Sequence, residues 1–351
     1  GMQAADPLAI GFERNIAGHA AGGPGSCYGA DNYGNNKPGP WGVPDLEEFH
    51  GSDVFLTEAL TLKAEQELEL AAQQQQPFFL QMAQYAVHSP IQKDPRFFEY
   101  FKNKGLDDKE AAYASLVAGV DASMSRILDK LEELNLSDNT LIVFCSDNGG
   151  LSAHSRGVTP LGTSKDTHNQ PLRSGKGSGY EGGIRVPLIL AWAGASRPGY
   201  ELRADSMLPF ATLSNDLYST IADVAQIPRD WRHVDENAHA VSLWPIIAGK
   251  LGVVQRPMVW HYPHKWGPSG DRYEPFTAWR EGYYKLIYWY ETEQFELYNL
   301  QNDIGESSDL INSHPEIAQR LAKNLQQWMT AVDAQLPLRK ADGKMLPLPT
   351  L

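Results

Sequence analysis

The sequence is short of cysteine, of basic charge and of long apolar runs, and each shortage excludes something. Only Cys27 and Cys145 occur among 351 residues, so a disulfide framework is excluded and at most one bridge can form. Cys145 ends the apolar run Leu141-Ile142-Val143-Phe144-Cys145, where a buried free thiol is expected. Lys and Arg number 30 against 43 Asp and Glu, a formal charge of −13. That balance argues against nucleic acid as a partner, because its recognition uses basic patches that displace counterions. No run of about 20 apolar residues occurs, so no membrane-spanning helix is expected. The opening Gly1-Met2-Gln3-Ala4-Ala5-Asp6 has neither the basic stretch nor the apolar core of a secretory signal. Gly1 before Met2 reads as a tag remnant. No internal repeat is found, and the glutamines at 73–76 are the one low-complexity run.

What is present is ordinary globular composition, 42% apolar and 21% charged, over a length that suits about two structural units. Residues 10–50 are rich in Gly, Pro, Asn and aromatics without a period, which predicts a long irregular segment that must pack on something. Leu60, Ala64, Leu68, Ala71 and Ala72 repeat at helical spacing over 57–76. Phe78-Phe79-Leu80-Gln81-Met82-Ala83 reads as a short buried strand leading to His88. Over 107–135, Asp107 and Glu110 resemble a capping pair and Leu116, Val120, Met124, Ile127, Leu131 and Leu134 form one stripe. Strands are predicted at 141–145 and 186–192, and a helix at 214–226. This alternation predicts an α/β fold with a mostly parallel sheet flanked by helices and functional loops at the strand ends. After Arg256 the texture changes to short aromatic strands with a Glu281-Gly282 hairpin signal, a small antiparallel sheet. Ser313-His314-Pro315-Glu316 reads as a capping box opening a last amphipathic helix. The expected division is 1–255 for the α/β domain and 256–351 for the C-terminal subdomain.

The stretch 141–187 concentrates the residues with chemistry. Asp147 and Asn148 leave a strand as two hard oxygen donors, which suits Ca²⁺ or Mg²⁺ better than zinc. Asp147-Asn148-Gly149-Gly150 equally has the composition of a tight turn. Lys176 lies in Gly175-Lys176-Gly177, either an anion contact or an exposed loop lysine. It is not a P-loop, since Gly177 follows it and Gln170 stands where the first glycine should be. Gly177-Ser178-Gly179-Tyr180-Glu181-Gly182 fits a dinucleotide fingerprint in letters only, because a strand follows where a helix is required. His88 can be a general acid or a structural histidine. His261 and His264, three apart, suit a substrate rim, and without further ligands they do not make a zinc site.

Together these segments resemble the sulfatase family of the alkaline phosphatase superfamily. The carrying segments are Tyr85-Ala86-Val87-His88-Ser89-Pro90, Phe144-Cys145-Ser146-Asp147-Asn148-Gly149-Gly150, and Pro171-Leu172-Arg173-Ser174-Gly175-Lys176 on to Val186-Pro187. They continue with His261-Tyr262-Pro263-His264, Gly282-Tyr283-Tyr284-Lys285-Leu286, and Leu297-Tyr298-Asn299-Leu300 with Asp303 and Glu306. The resemblance implies an alkaline-phosphatase-like fold, Asp147 and Asn148 as ligands of an active-site Ca²⁺, and His88 and Lys176 as catalytic contacts to a sulfate ester. Arg173, His261 and His264 are the expected substrate contacts, and the substrate would be a sulfated small molecule or carbohydrate.

The family's formylglycine nucleophile arises in a C-x-P-S-R or C-x-A-x-R motif, and neither cysteine has one. Cys27 precedes Tyr28-Gly29-Ala30-Asp31 and Cys145 precedes Ser146-Asp147-Asn148-Gly149. The family's Gly-Lys-Trp-His-Leu-Gly segment, which should lie upstream of Gly11-Phe12-Glu13, is missing too. The expectation is therefore a sulfatase lacking its N-terminal part, inactive alone, with no nucleophile residue to name and with Ca²⁺ weakly held or absent. The alternatives are a non-catalytic remnant, one half of a split enzyme, or a phosphatase or phosphonate hydrolase of the same superfamily. Exposed sheet edges would favour a homo-oligomer. The compartment stays open, although the resemblance points to an extracytoplasmic or periplasmic setting for the intact parent.

Overall fold

The computed structural model describes residues 6–151, 169–195, 197–208, 210–228, 240–250, 256–265 and 272–351. They fall into two compact units, the first holding the described residues up to Leu141 with Trp192–Ala195, the second holding the remainder from Ile142.

In the first unit, α1 (Leu56–Gln74) and α3 (Asp108–Glu133) lie side by side, with the short α2 (Phe98–Asn103) against α3. The α1 face Leu56, Ala59, Thr61, Ala64 and Leu68 is buried, while Leu60, Ala71 and Ala72 of the expected stripe are half-buried. Between the helices, Thr61 and Ser123 share a buried hydroxyl hydrogen bond of 2.7 Å. Arg126 then grips Glu65 with two bonds of 2.9 and 2.7 Å, and Lys130 reaches Glu69 at 3.1 Å. The partner numbers rise together, so the two helices run in the same direction. Asp107 caps α3 by accepting from the Lys109 and Glu110 amides. The irregular segment does pack: Tyr33, Val43 and Leu46 are fully buried with Phe55, Leu56 and Leu116. Cys27 lies in the same cluster as a free thiol, pushed up to about 12 by burial and by Asp94.

In the second unit, β1 (Leu141–Cys145) neighbours β2 (Leu188–Trp192) in one sheet, and β3 (Met258–Tyr262), β4 (Phe276–Glu281), β5 (Tyr284–Trp289) and β6 (Gln294–Asn299) form an antiparallel meander. Glu281 pairs with Tyr284 across the turn that contains Gly282, whose φ of +57° suits glycine. Side chains alternate along β5. Leu286 and Tyr288 face α7 (Pro315–Ala331), packing with Leu321, Leu325 and Met329. Ile287 and Trp289 face the other way, onto Tyr180 and Tyr298. Between Val186 and β3 lie two further short helices, α5 (Asp216–Val224) and α6 (Trp244–Ile247), and before β2 one turn, α4 (Glu181–Ile184).

Three expectations need correction. Residues 78–83 form no strand, and Phe78, Phe79 and Leu80 are exposed; no strand lies beside them among the described residues, and strand backbone needs ladder partners. Cys145 is exposed rather than buried, because it ends a strand that has a single neighbour among the described residues. The capping box does not close: the helix starts after His314 without a side-chain cap, and the Ser313 hydroxyl turns to Leu310 O and His314 Nδ1.

Candidate functional site

The loop after β1 and the loop before β2 are zipped together by backbone. Gly149 N–H donates to Gly183 O at 2.9 Å, and Lys176 N–H donates to Gly150 O at 3.1 Å. Asn169 Nδ2 bridges Gly150 O and Ser174 O, at 3.1 and 2.9 Å. The approach is close enough to demand glycine. A Cβ on Gly149 would lie 1.7 Å from Gly182 O, one on Gly182 2.2 Å from Arg173 O, and one on Gly183 2.2 Å from Ser178 O. The glycines of both motifs are thus a packing requirement.

This zipper brings Asp147, Asn148, Lys176 and Arg173 into one loop cluster. Asp147 is exposed, and no described residue bonds its carboxylate. Asn148 is half-buried, and its Nδ2 donates one of its two N–H groups to Gly149 O at 3.0 Å, which leaves the Oδ1 as acceptor. These are hard donors of the kind Ca²⁺ takes, though it takes 6–8 of them. Among the described residues no group of three His, Cys, Asp or Glu suits a metal. The residues present therefore fit a hard cation in kind, as part of a ligand set.

Arg173 is turned inward: its guanidinium lies 3.9 Å over the Tyr180 ring and donates to Glu306 O at 2.9 Å. His261 Nε2 donates to Gln335 O at 2.7 Å, while Nδ1 is buried with no partner among the described residues. Burial, with the neighbouring His264, lowers the His261 pKa. His264 is exposed, edge-on to Tyr262. Neither histidine shares a hydrogen bond with the loop cluster among the described residues. His88 belongs to the first unit, where its Nδ1 meets Ser89 O at 2.9 Å beside Gly23.

Sequence reasoning left three polar residues of this region without a role. Lys285 is fully buried, its Nζ 2.9 Å from Glu181 Oε1 and 2.8 Å from Glu306 Oε1. Glu306 Oε2 accepts the Glu181 amide at 2.6 Å. Burial raises the Glu306 pKa; at Glu181 burial pushes the same way, but Lys285 and the nearby Arg280 and Arg185 outweigh it and lower the value. The available signal was a lysine inside the aromatic strand Tyr284-Lys285-Leu286-Ile287-Tyr288-Trp289. Beside it, Tyr180 and Tyr298 both donate to Glu296 Oε2, at 2.7 and 3.0 Å.

Comparison with known proteins follows this geometry. The Sulfatase family model matches residues 17–227, and the model of the N-sulphoglucosamine sulphohydrolase C-terminal region matches residues 175–335. A sulfatase of Formosa agariphila is 30% identical over 341 residues, covering 90% of this chain and 56% of the relative. The N-acetylgalactosamine-6-O-sulfatase of Bacteroides thetaiotaomicron is 25% identical over 354 residues, covering 94% and 63%. The crystal structure of Ps i-CgsB in complex with k-i-k-neocarrahexaose superposes with a TM-score of 0.61 at 28% identity, over 79% of this chain and 56% of that one. The chain thus spans little more than half the length of the relatives it matches, with an alkaline-phosphatase-like α/β fold carrying a small antiparallel sheet. It belongs to the sulfatase family.

Proposed function

We propose that the chain serves hydrolysis of a sulfate ester, with a sulfated small molecule or carbohydrate as substrate. The observation that carries the reading is the glycine zipper that holds Asp147 and Asn148 beside the Lys176 loop in a sulfatase-family chain. The names of two similar proteins support the substrate class: one is an N-acetylgalactosamine-6-O-sulfatase, and the other was crystallised with k-i-k-neocarrahexaose.

In this reading Asp147 and Asn148 hold two positions around Ca²⁺, which when bound supplies positive charge to a sulfuryl group. Lys176 binds a sulfate oxygen by a charge-assisted hydrogen bond. His88 delivers a proton to the leaving oxygen. Arg173, His261 and His264 line the substrate, Arg173 through the loop it braces against Tyr180. Residues 1–255 form the catalytic α/β part and 256–351 the C-terminal subdomain. In this reading the 351 residues alone do not turn over, because neither cysteine stands in a formylglycine motif.

Two measurements test this. The purified chain given an aryl sulfate and Ca²⁺ is expected to show no turnover, and a metal-dependent rate abolished by Lys176→Ala would overturn the inactivity. Calorimetric titration with a sulfated disaccharide is expected to show binding that Lys176→Ala weakens about tenfold or more, as loss of a charged hydrogen bond implies. Equal binding of the desulfated sugar, or preference for the phosphate ester, would refute the sulfate reading.

A further inference from the structure

A lysine, two glutamates and no water-facing side form an expensive arrangement for a core position. Replacing a buried ion triad with well-packed apolar residues is often neutral or stabilising, and Ile287 and Trp289 show that this same face of β5 accepts apolar side chains. Its two carboxylates face the Lys285 ammonium and, at Glu181 Oε2, the half-exposed Arg185 guanidinium 3.5 Å away. What it gains is directional contact with backbone.

Its bonds end on the loops of the site. Glu306 Oε2 holds Glu181 N–H at 2.6 Å, and Glu306 O holds Arg173 Nη1 at 2.9 Å. Arg173 O in turn holds Gly182 N–H at 2.8 Å, and Gly183 O holds Gly149 N–H at 2.9 Å. Gly150 O then holds Lys176 N–H at 3.1 Å. The path runs from the centre of the meander to the residues flanking Asp147, Asn148 and Lys176 without leaving the second unit. The glycine contacts leave it no slack, because the backbones approach too closely to shift independently.

We propose that Lys285, Glu181 and Glu306 are positioning residues: they fix the Asp147-Asn148 loop and the Lys176 loop at one spacing and orientation by tying both to the β3–β6 sheet. What those loops hold, Ca²⁺ and a sulfate ester, rests on the function proposed above; the mechanical coupling does not.

The test is hydrogen exchange on the purified full chain, read by mass spectrometry. Glu306→Gln keeps the shape and leaves Lys285 balanced by Glu181, so its melting temperature should stay close to that of the parent. Exchange over 145–151 and 172–184 should nevertheless rise about tenfold while 315–331 is unchanged, as selective local opening requires. In Glu306→Gln, unchanged exchange over 145–151 would overturn the proposal, and so would a uniform rise in all segments, since that assigns the triad to global stability alone. Lys285→Met should act in the same direction and more strongly; if it does not fold, Glu306→Gln decides. A Ca²⁺ titration in the same assay separates the two readings. Calcium-dependent protection of 145–151 in the parent, with its midpoint moved to higher concentration in Glu306→Gln, supports both. Absence of that protection in the parent refutes the calcium reading, while the loop opening in Glu306→Gln still decides the coupling.

Discussion

Strands β2 and β5 are both short apolar runs, yet Ile189 in β2 is 54% exposed while Leu286, Ile287 and Trp289 in β5 are fully buried. The difference lies in what covers them. The meander has α7 on one face and the Tyr180 cluster on the other, whereas among the described residues β1 and β2 have only each other as sheet neighbours. An apolar strand is buried by its surroundings and not by its own sequence. For the site this means that Lys176 sits on a loop backed by a complete sheet, and Asp147 on a loop rooted in a sparse one. Order passes from the meander towards the site.

The comparison can be broken by substitution. Leu286→Ala should cost about 2–5 kcal/mol, the range for emptying a fully packed leucine site, measured by chemical denaturation of the second unit's tryptophan signal. The next effect is one of pH. His261 has its folded pKa held below 6.5, so in the interval between that value and 6.5 the unfolded chain binds more protons, and stability rises with pH there. Stability at the β3 edge should accordingly fall as pH drops below 6.5, and His261→Gln, which can still donate to Gln335 O, should flatten the fall. Ile189→Ala should have the smallest effect, below about 1 kcal/mol, as for other exposed positions. A loss at Ile189 equal to that at Leu286 would show that β2 is as fully packed as β5, and the contrast would be gone.

Helices and the meander were legible because their periods are local. The α3 stripe through Leu116, Ile127 and Leu131 and the aromatic alternation of β4 to β6 follow from spacing alone. Residues 78–83 were misread because an apolar run says nothing about whether a ladder partner exists. Ser313 was misread as a cap because its hydroxyl has nearer acceptors than the helix amides. In the site, the donor types at Asp147, Asn148 and Lys176 were visible, but the packing of Gly149 against Gly182 and Gly183 was not, because a turn glycine and a close-packed one look alike in sequence. The Lys285, Glu181 and Glu306 triad was not read as a unit, since it joins residues 104 and 21 positions apart, and no period connects them. Only the oddity of a charged residue in an aromatic strand hinted at it.

The central claim is that the zipped loops present Asp147 and Asn148 as one face of a hard-cation site. Calorimetric titration of the purified chain with Ca²⁺ tests it most directly. The expected result is weak saturable binding, with a dissociation constant above about 1 mM because the oxygen ligand set is partial, lost in both Asp147→Ala and Asn148→Ala with the fold intact. Binding that survives both substitutions, or no binding by the parent chain at about 10 mM Ca²⁺, would contradict it.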